Sequence, residues 1–517
     1  MRTPVNRRAR AWAWPLVIGL VATLTWSSPA GADASRGGTD TALDKVLDDP
    51  LLRGGAAGVV VADADSGDVL YRHRADDRLM PASNTKLFTS AAAMGLLGPD
   101  HTFRTDVLGE GTRHGRTLRG DLFLRGTGDP TLLASDFDRL AKGVADAGVR
   151  RVTGRLIADD TRFDAQRAGR SWAADDESSY YAAGISALTV APDTDYDAGS
   201  VIVEVAPGAT KGERPKVTVT PSTRYVRIDN RATTGSGGGL TVERRHGTNT
   251  ITVSGAIAAG AQTAKEWVSV WEPTGYAAAV FADALKRHGV RVAGDTRLGE
   301  GTPQEARPLA SHRSMPLKKL LVPFMKLSNN IHAEALTKAI GHETAGRGTW
   351  SAGLAAISDW LKQQGVDTGA VRQVDGSGLS RMDNIAAGQL TELLLAARQQ
   401  PWYADWYASL PVACAPDRLT GGTLRSRMCG TPAAGNARGK TGSLTGASGL
   451  SGYVTDADGR ELVYSIVLNN YLAPSVKSLE DAIVVTLAKG SPQGVRGGAK
   501  SAQAADLECS WVKPRRC

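Results

Sequence analysis

Cysteine is scarce in this chain, with four residues in 517. None of the four stands at a spacing that would build a zinc site, so no metal is expected. The H-E-x-x-H pattern of metalloproteases is absent, and so is the G-x-S-x-G elbow of Ser-His-Asp hydrolases. Beyond residue 32 no segment approaches the ~20 apolar residues of a membrane-spanning helix, so no integral membrane segment is expected in the mature chain. No fixed-period repeat is evident. Excess charge is lacking too. The formal net charge is +8, and Arg2, Arg7, Arg8 and Arg10 supply half of it. About +4 remains on the rest of the chain, too little to imply a nucleic-acid partner.

Those four arginines precede an apolar stretch over residues 11–26, followed by Ala30-Gly31-Ala32. Residues 1–32 therefore read as a secretory signal peptide with an A-x-A cleavage site. The competing reading is a retained membrane anchor, whose apolar core would be short for a span. Export puts the protein in an extracellular setting, in the cell wall or at the outer face of the cytoplasmic membrane, or in a periplasm if the source has an outer membrane. In such a setting an even number of cysteines in two close pairs suggests two local disulfides, Cys414 with Cys429 and Cys509 with Cys517. Four cysteines permit three connectivities, and sequence alone does not choose among them.

With 42% hydrophobic and 22% charged residues, the composition is globular, and the length suffices for two to four domains. Residues 58–72 read as a β-hairpin around Asp65-Ser66-Gly67. Leu87, Ala91, Met94 and Leu97 recur at helical spacing before a stop at Gly98-Pro99. Near the other end "ARGKTGSL", "SGLSGYVTD" and "ELVYSIVLNN" read as three strands, followed by a helix over about residues 475–488 that buries Leu479, Ile483 and Leu487. The two ends could form one antiparallel sheet with helices packed on it, which makes the middle an insertion. Residues 99–199 mix strands with a helix around 137–147. Residues 200–262 alternate period-two runs with Gly, Pro and Asn turns, as a small all-β module does. The stretch "WVSVW", a helix over 275–287 and "VRVAG" are expected to return to the first insert over residues 263–305. The division is thus 33–98 and 306–489 for the main domain, 99–199 and 263–305 for the first insert, 200–262 for the second, and 490–517 as a tail.

Ser83 stands three residues before Lys86 at the start of an apolar helix, so both lie on one helical face. A buried, neutral lysine there could take the serine proton. In "MKLSNNIHAEAL", Ser328 and Asn330 sit two apart at a helix start; taken alone they would more often be an N-cap. In "GKTGSL", Lys440, Thr441 and Ser443 offer a cation, two hydroxyls and close backbone approach on a strand edge, suited to a carboxylate and an oxyanion. Each motif is weak by itself. Together S-x-x-K, S-x-N and K-T-G, in that order, make the constellation of penicillin-binding proteins and serine β-lactamases. Lys440 is then the expected second cation beside Lys86, and His332 a helix-face residue rather than a base.

With Ser83 and Ser328 standing 245 positions apart, the chain resembles the D-alanyl-D-alanine carboxypeptidase/endopeptidase family, the low-molecular-mass class C penicillin-binding proteins. Further matches are "PASNTKLFTSAAA", "GDPTL", "DGSGLSR", "ASLPVA", "GTLRSR" and "GKTGSLTGASGLSGYV". The resemblance implies an α/β (α+β) multidomain fold. In it a β-lactamase/transpeptidase-like domain, an antiparallel sheet flanked by helices, is interrupted by two accessory domains, one mixed α/β and one all-β. It implies a serine-type D-Ala-D-Ala carboxypeptidase that also acts as an endopeptidase. Its partners are peptidoglycan stem peptides ending in D-Ala-D-Ala, with β-lactam antibiotics as covalent inhibitors, and it needs no cofactor. By position, Ser83 is the nucleophile, Lys86 its base, and Ser328 with Lys440 the route to the leaving amine. Asn330 holds the substrate amide, Thr441 and Ser443 the carboxylate, and the backbone N–H groups of Ser83 and Ser443 the oxyanion. Trp172, Asp175, Tyr180 and Arg381 match residues that read a diaminopimelate side chain, against the plainer alternative of core aromatics and a solvated arginine. The chain departs from the family at "ASLPVACAPDRLTGGTLRSRMCG", where Cys414 and Cys429 bracket a loop beside the cleft. Its tail has no counterpart. A non-catalytic penicillin-binding sensor and a serine β-lactamase remain the alternatives.

Overall fold

Residues 30–490 are described by the structure, a computed structural model. The expected signal peptide, apart from its last three residues, lies outside the described residues, as do Cys509, Cys517 and the tail beyond Gly490. Near-continuous buried runs build the central sheet, which is covered on both faces. Its five antiparallel strands run in the order Arg438–Leu444, Ala447–Thr455, Glu461–Asn469, Ala56–Asp63 and Val69–His73. The two chain ends join where Val60 faces Ser465. Successive side chains leave a strand on opposite faces. Val59, Val61, Tyr464, Ile466 and Leu468 therefore pack under the helix Lys477–Lys489 and Leu43, whereas Tyr453, Val463 and Val467 meet the helical layer on the other side. That layer includes the helices Thr85–Leu96, Leu317–Lys326, Asn330–Ala345, Trp350–Gln363 and Ala387–Arg398.

The middle of the chain forms separate sheets. One has the order Thr296–Leu298, Leu156–Asp159, Leu122–Gly126, Arg104–Gly109 and Arg307–Arg313, with helices Ala134–Asp146 and Pro273–Arg287 beside it. Residues 307–313, expected in the main domain from position 306, instead pair with Arg104–Gly109. The period-two module is all-β: Ser200–Ala206 lies between Lys216–Thr220 and Ala264–Ser269, and a second small sheet is built on Thr250–Ala258. Here too a boundary moves. "WVSVW" was expected to rejoin the first insert, but Ala264–Ser269 pairs with Ser200–Ala206 because Val268 alternates inward with Val201, Val203 and Val205. The two inserted regions share one apolar cluster, in which Val107, Leu124 and Phe137 belong with Val203, Val253 and Phe281. Among the described residues no helix is long and apolar enough to cross a membrane.

Candidate active site

A short 3₁₀ turn, Ala82–Asn84, runs directly into the helix Thr85–Leu96. Ala82 holds φ at 47°, a left-handed conformation that a side chain disfavours, and it turns half-buried Ser83 toward the cleft. One helical turn later Lys86 is fully buried, its Nζ 2.7 Å from Ser83 Oγ, 2.7 Å from Asn330 Oδ1 and 2.7 Å from the Ser377 carbonyl oxygen. Burial draws its pKa down to about 7, against the opposing pull of Asp375, Glu334 and Asp383. A neutral amine has two N–H donors and one lone pair. Asn330 Oδ1 and the Ser377 carbonyl can only accept, so they take the two donors and leave the lone pair for the hydroxyl proton of Ser83.

Ser328 also has a left-handed backbone, with φ 56°, just before the helix Asn330–Ala345. The cap that sequence reasoning weighed for Ser328 and Asn330 is made by the residue between them. Asn329 accepts from the N–H groups of Ile331 and His332 at 3.0 and 3.2 Å. This leaves its neighbours free to face the two lysines. Lys440 Nζ lies 2.7 Å from Ser328 Oγ and 2.7 Å from the Thr441 carbonyl oxygen. Burial, and then the charge of Lys86, holds Lys440 well below the ordinary lysine range. His332 is buried, with Nε2 3.0 Å from the Tyr196 carbonyl oxygen, and burial lowers its pKa to about 3. It is a neutral packing residue.

The K-T-G strand is an edge strand of the central sheet. Gly439 N–H donates outward to Pro411 O at 3.0 Å, so by strand alternation the N–H groups of Thr441 and Ser443 leave the same edge. Gly442 lets that edge press on the serine turn: a Cβ there would lie 2.7 Å from Pro81 O and 3.0 Å from Ser83 N. The serine turn and the K-T-G strand are thereby in close backbone approach. Thr441 Oγ1 donates to Thr423 Oγ1 at 2.8 Å, and Ser443 is half-buried.

Beneath Lys86 lie three carboxyl groups that sequence reasoning missed. Glu334 accepts from the N–H groups of Gly376 and Ser377, both at 2.8 Å. Asp375 accepts from Ser377, Gly378 and Ser380. Together they fix the D-G-S-G turn whose Ser377 carbonyl holds Lys86. Burial, then the charge of Asp375, raises the Glu334 pKa to about 7 and pushes Asp383 well above the carboxylate range. A usable signal was present, since Glu334 follows Asn330 by one helical turn and shares its face.

The remaining expected residues divide. Trp172 packs edge-on against Trp350 and donates Nε1–H to Asp375 at 2.9 Å, which ties the insert to the D-G-S-G turn. Asp175 is exposed in a short 3₁₀ turn. Arg381 is exposed and donates to the Thr445 carbonyl at 2.8 Å. Tyr180 is buried against Tyr181. Asn330 spends its amide on Lys86 and, through Nδ2, on the Tyr181 carbonyl at 2.8 Å. Cys414 and Cys429 are bonded. Asp193, Asp195 and Asp197 form the one cluster of three potential metal ligands among the described residues. Arg418 and Asn329 already bind it, with Arg418 Nη2 2.7 Å from Asp195 and Asn329 Nδ2 3.1 Å from Asp197.

The family described as D-Ala-D-Ala carboxypeptidase 3 (S13) matches residues 39–490. The D-alanyl-D-alanine carboxypeptidase of Actinomadura sp. (strain R39) is 46% identical over 519 residues, which cover 98% of this chain and 96% of the relative. Among solved structures, penicillin binding protein 4 from Haemophilus influenzae shares the fold with a TM-score of 0.76 at 24% identity, covering 86% of this chain and 98% of the other. The same protein complexed with a β-lactam gives 0.70.

Proposed function

The chain belongs to the D-Ala-D-Ala carboxypeptidase 3 (S13) family and is a serine-type D-Ala-D-Ala carboxypeptidase, and from this we propose how its own residues carry out the reaction. The observation that carries the proposal is the buried Lys86 amine, 2.7 Å from Ser83 Oγ and confined by two pure acceptors. Lys86 takes the proton of Ser83, whose oxygen attacks the carbonyl of the penultimate D-alanine of a peptidoglycan stem peptide. The N–H groups of Ser83 and Ser443 stabilise the oxyanion. The C–N bond then breaks, and Ser328 with Lys440 delivers a proton to the departing D-alanine amine. Water attacks the acyl-enzyme in turn, returning Ser83 and releasing the shortened peptide.

Thr441 and Ser443 bind the terminal carboxylate at the sheet edge. Asn330 acts first as the clamp on Lys86, and a substrate amide would have to share its amide group. Asp175 and Arg381, both exposed at the rim, suit the amine and carboxylate of a diaminopimelate side chain, with Trp172 as the wall. Tyr180 supports that wall from within. Cross-bridge cleavage follows the same route with a longer leaving amine. A β-lactam acylates Ser83, as befits a relative of a protein solved with such a ligand. Export by the leader and a position at or in the wall complete the reading.

The test is D-alanine release from pentapeptides ending in D-Ala-D-Ala, carrying diaminopimelate or lysine at the third position. Protein lacking residues 1–32 and its Ser83→Ala variant are compared, with the mass of the penicillin adduct recorded. Release abolished by the substitution, an adduct on Ser83 and a preference for diaminopimelate are expected. An adduct without turnover would make the protein a sensor, and equal rates on both peptides would remove the side-chain assignment.

A further inference from the structure

The loop closed by Cys414 and Cys429 turns one face to the K-T-G strand. Thr423, on that face, lies 2.8 Å from Thr441 through the two hydroxyl oxygens, and both residues are buried. Its position is held from several sides. Gly422 has φ 53°, and a Cβ there would fall 2.4 Å from the Lys326 carbonyl oxygen, so the loop rests against the end of the helix Leu317–Lys326. Cys414 N–H donates to Leu424 O at 3.0 Å, and Arg418 donates to Asp195 at 2.7 Å. The disulfide closes the remaining side.

We propose that Thr423 is a positioning residue for the substrate's terminal carboxylate, acting through Thr441, and that the stapled loop serves to hold it there. This rests on the reading above, in which Thr441 binds that carboxylate. A hydroxyl has one proton and can also accept. Without substrate, Thr441 donates that proton to Thr423. When a carboxylate arrives, Thr441 turns its proton to the anion, and Thr423 rotates its own proton onto Thr441 Oγ1. The pair stays bonded in both states. No buried oxygen loses its partner, and Thr441 is kept in one rotamer before binding, which lowers the ordering cost. A donor that itself accepts a hydrogen bond is also polarised toward the anion.

The experiment compares a pentapeptide ending in D-Ala-D-Ala with the same peptide ending in D-alaninamide, on wild type, Thr423→Val, Thr423→Ser, Thr441→Val and the Cys414→Ser/Cys429→Ser pair. Thr423→Val is expected to raise KM for the acid roughly ten- to a hundredfold, the loss of a hydrogen bond that supports a charged contact. Its kcat and its kcat/KM for the amide should stay near wild type, and Thr423→Ser should restore the acid. The cysteine pair should reproduce part of the acid-specific rise and combine with Thr423→Val to less than the product of the two effects. Equal losses on acid and amide, or none, would overturn the proposal. Thr441→Val separates the two readings. If it discriminates acid from amide while Thr423→Val does not, only this proposal falls; if neither discriminates, the carboxylate reading falls with it. Should Thr423→Val lack the near-ultraviolet circular dichroism of wild type, the cysteine pair decides, and the absence of an acid-specific rise there overturns the proposal.

Discussion

In the proposed reaction Lys86 can act as the base only in its neutral form, and a pKa lowered to about 7 by burial places that form within the physiological range. Below about pH 7 the ammonium has no lone pair. The second-order rate of β-lactam acylation is therefore expected to rise about tenfold per pH unit up to that value and then level off. Asp375 pulls the other way, because its negative charge favours the ammonium. Asp375→Asn removes that charge and should move the rising limb to lower pH; a limb that stays in place would mean Asp375 only shapes the turn. At this scale the sequence was partly legible. Ser83 and Lys86 are one helical turn apart, so their contact follows from spacing alone. Ser377 contributes a carbonyl, which no residue type advertises, and Thr423 and Asp375 belong to loops whose path spacing does not predict.

Among the elements, the serine turn and the K-T-G strand must approach within backbone distance, and Gly442 is the residue that permits it. Gly442→Ala would put a methyl group 2.7 Å from Pro81 O, forcing the edge strand away from Ser83 and separating the two amides proposed to hold the oxyanion. Acylation by penicillin should fall on the order of a hundredfold, the usual effect of a shift of about 1 Å in a reacting group. Unchanged far-ultraviolet circular dichroism would separate this from unfolding, and an unchanged acylation rate would refute the oxyanion assignment. The strands and helices themselves were readable because alternation and 3.6-residue periodicity are local. The caps were less so: three polar residues in a row, Ser328, Asn329 and Asn330, could each have capped the helix, and only the backbone path assigns the role to Asn329.

At the scale of the whole molecule, the inserts are joined to one another by a common core. Tyr225 of the all-β module stacks on Tyr276 with ring centroids 5.9 Å apart and donates to the Glu272 carbonyl. Excising residues 200–269 would uncover the Tyr276 ring that Tyr225 covers and open the shared apolar cluster. The shortened protein is expected to lose cooperative thermal unfolding of the insert and to be cut rapidly by protease between residues 99 and 313. A sharp transition retained in the excised protein would show two independent cores.

The three motifs, their order and the antiparallel sheet assembled from both ends of the chain were legible in the sequence, because these depend on spacing within an element and on which segments are apolar. Only the folded chain shows that Lys86 is clamped by Asn330, 244 positions away, and by the Ser377 carbonyl, 291 positions away. It also decided which strands the insert boundaries share and which loop stands behind Thr441. Such contacts are selected by the packing of whole layers, and no local periodicity records which distant side chains that packing brings together.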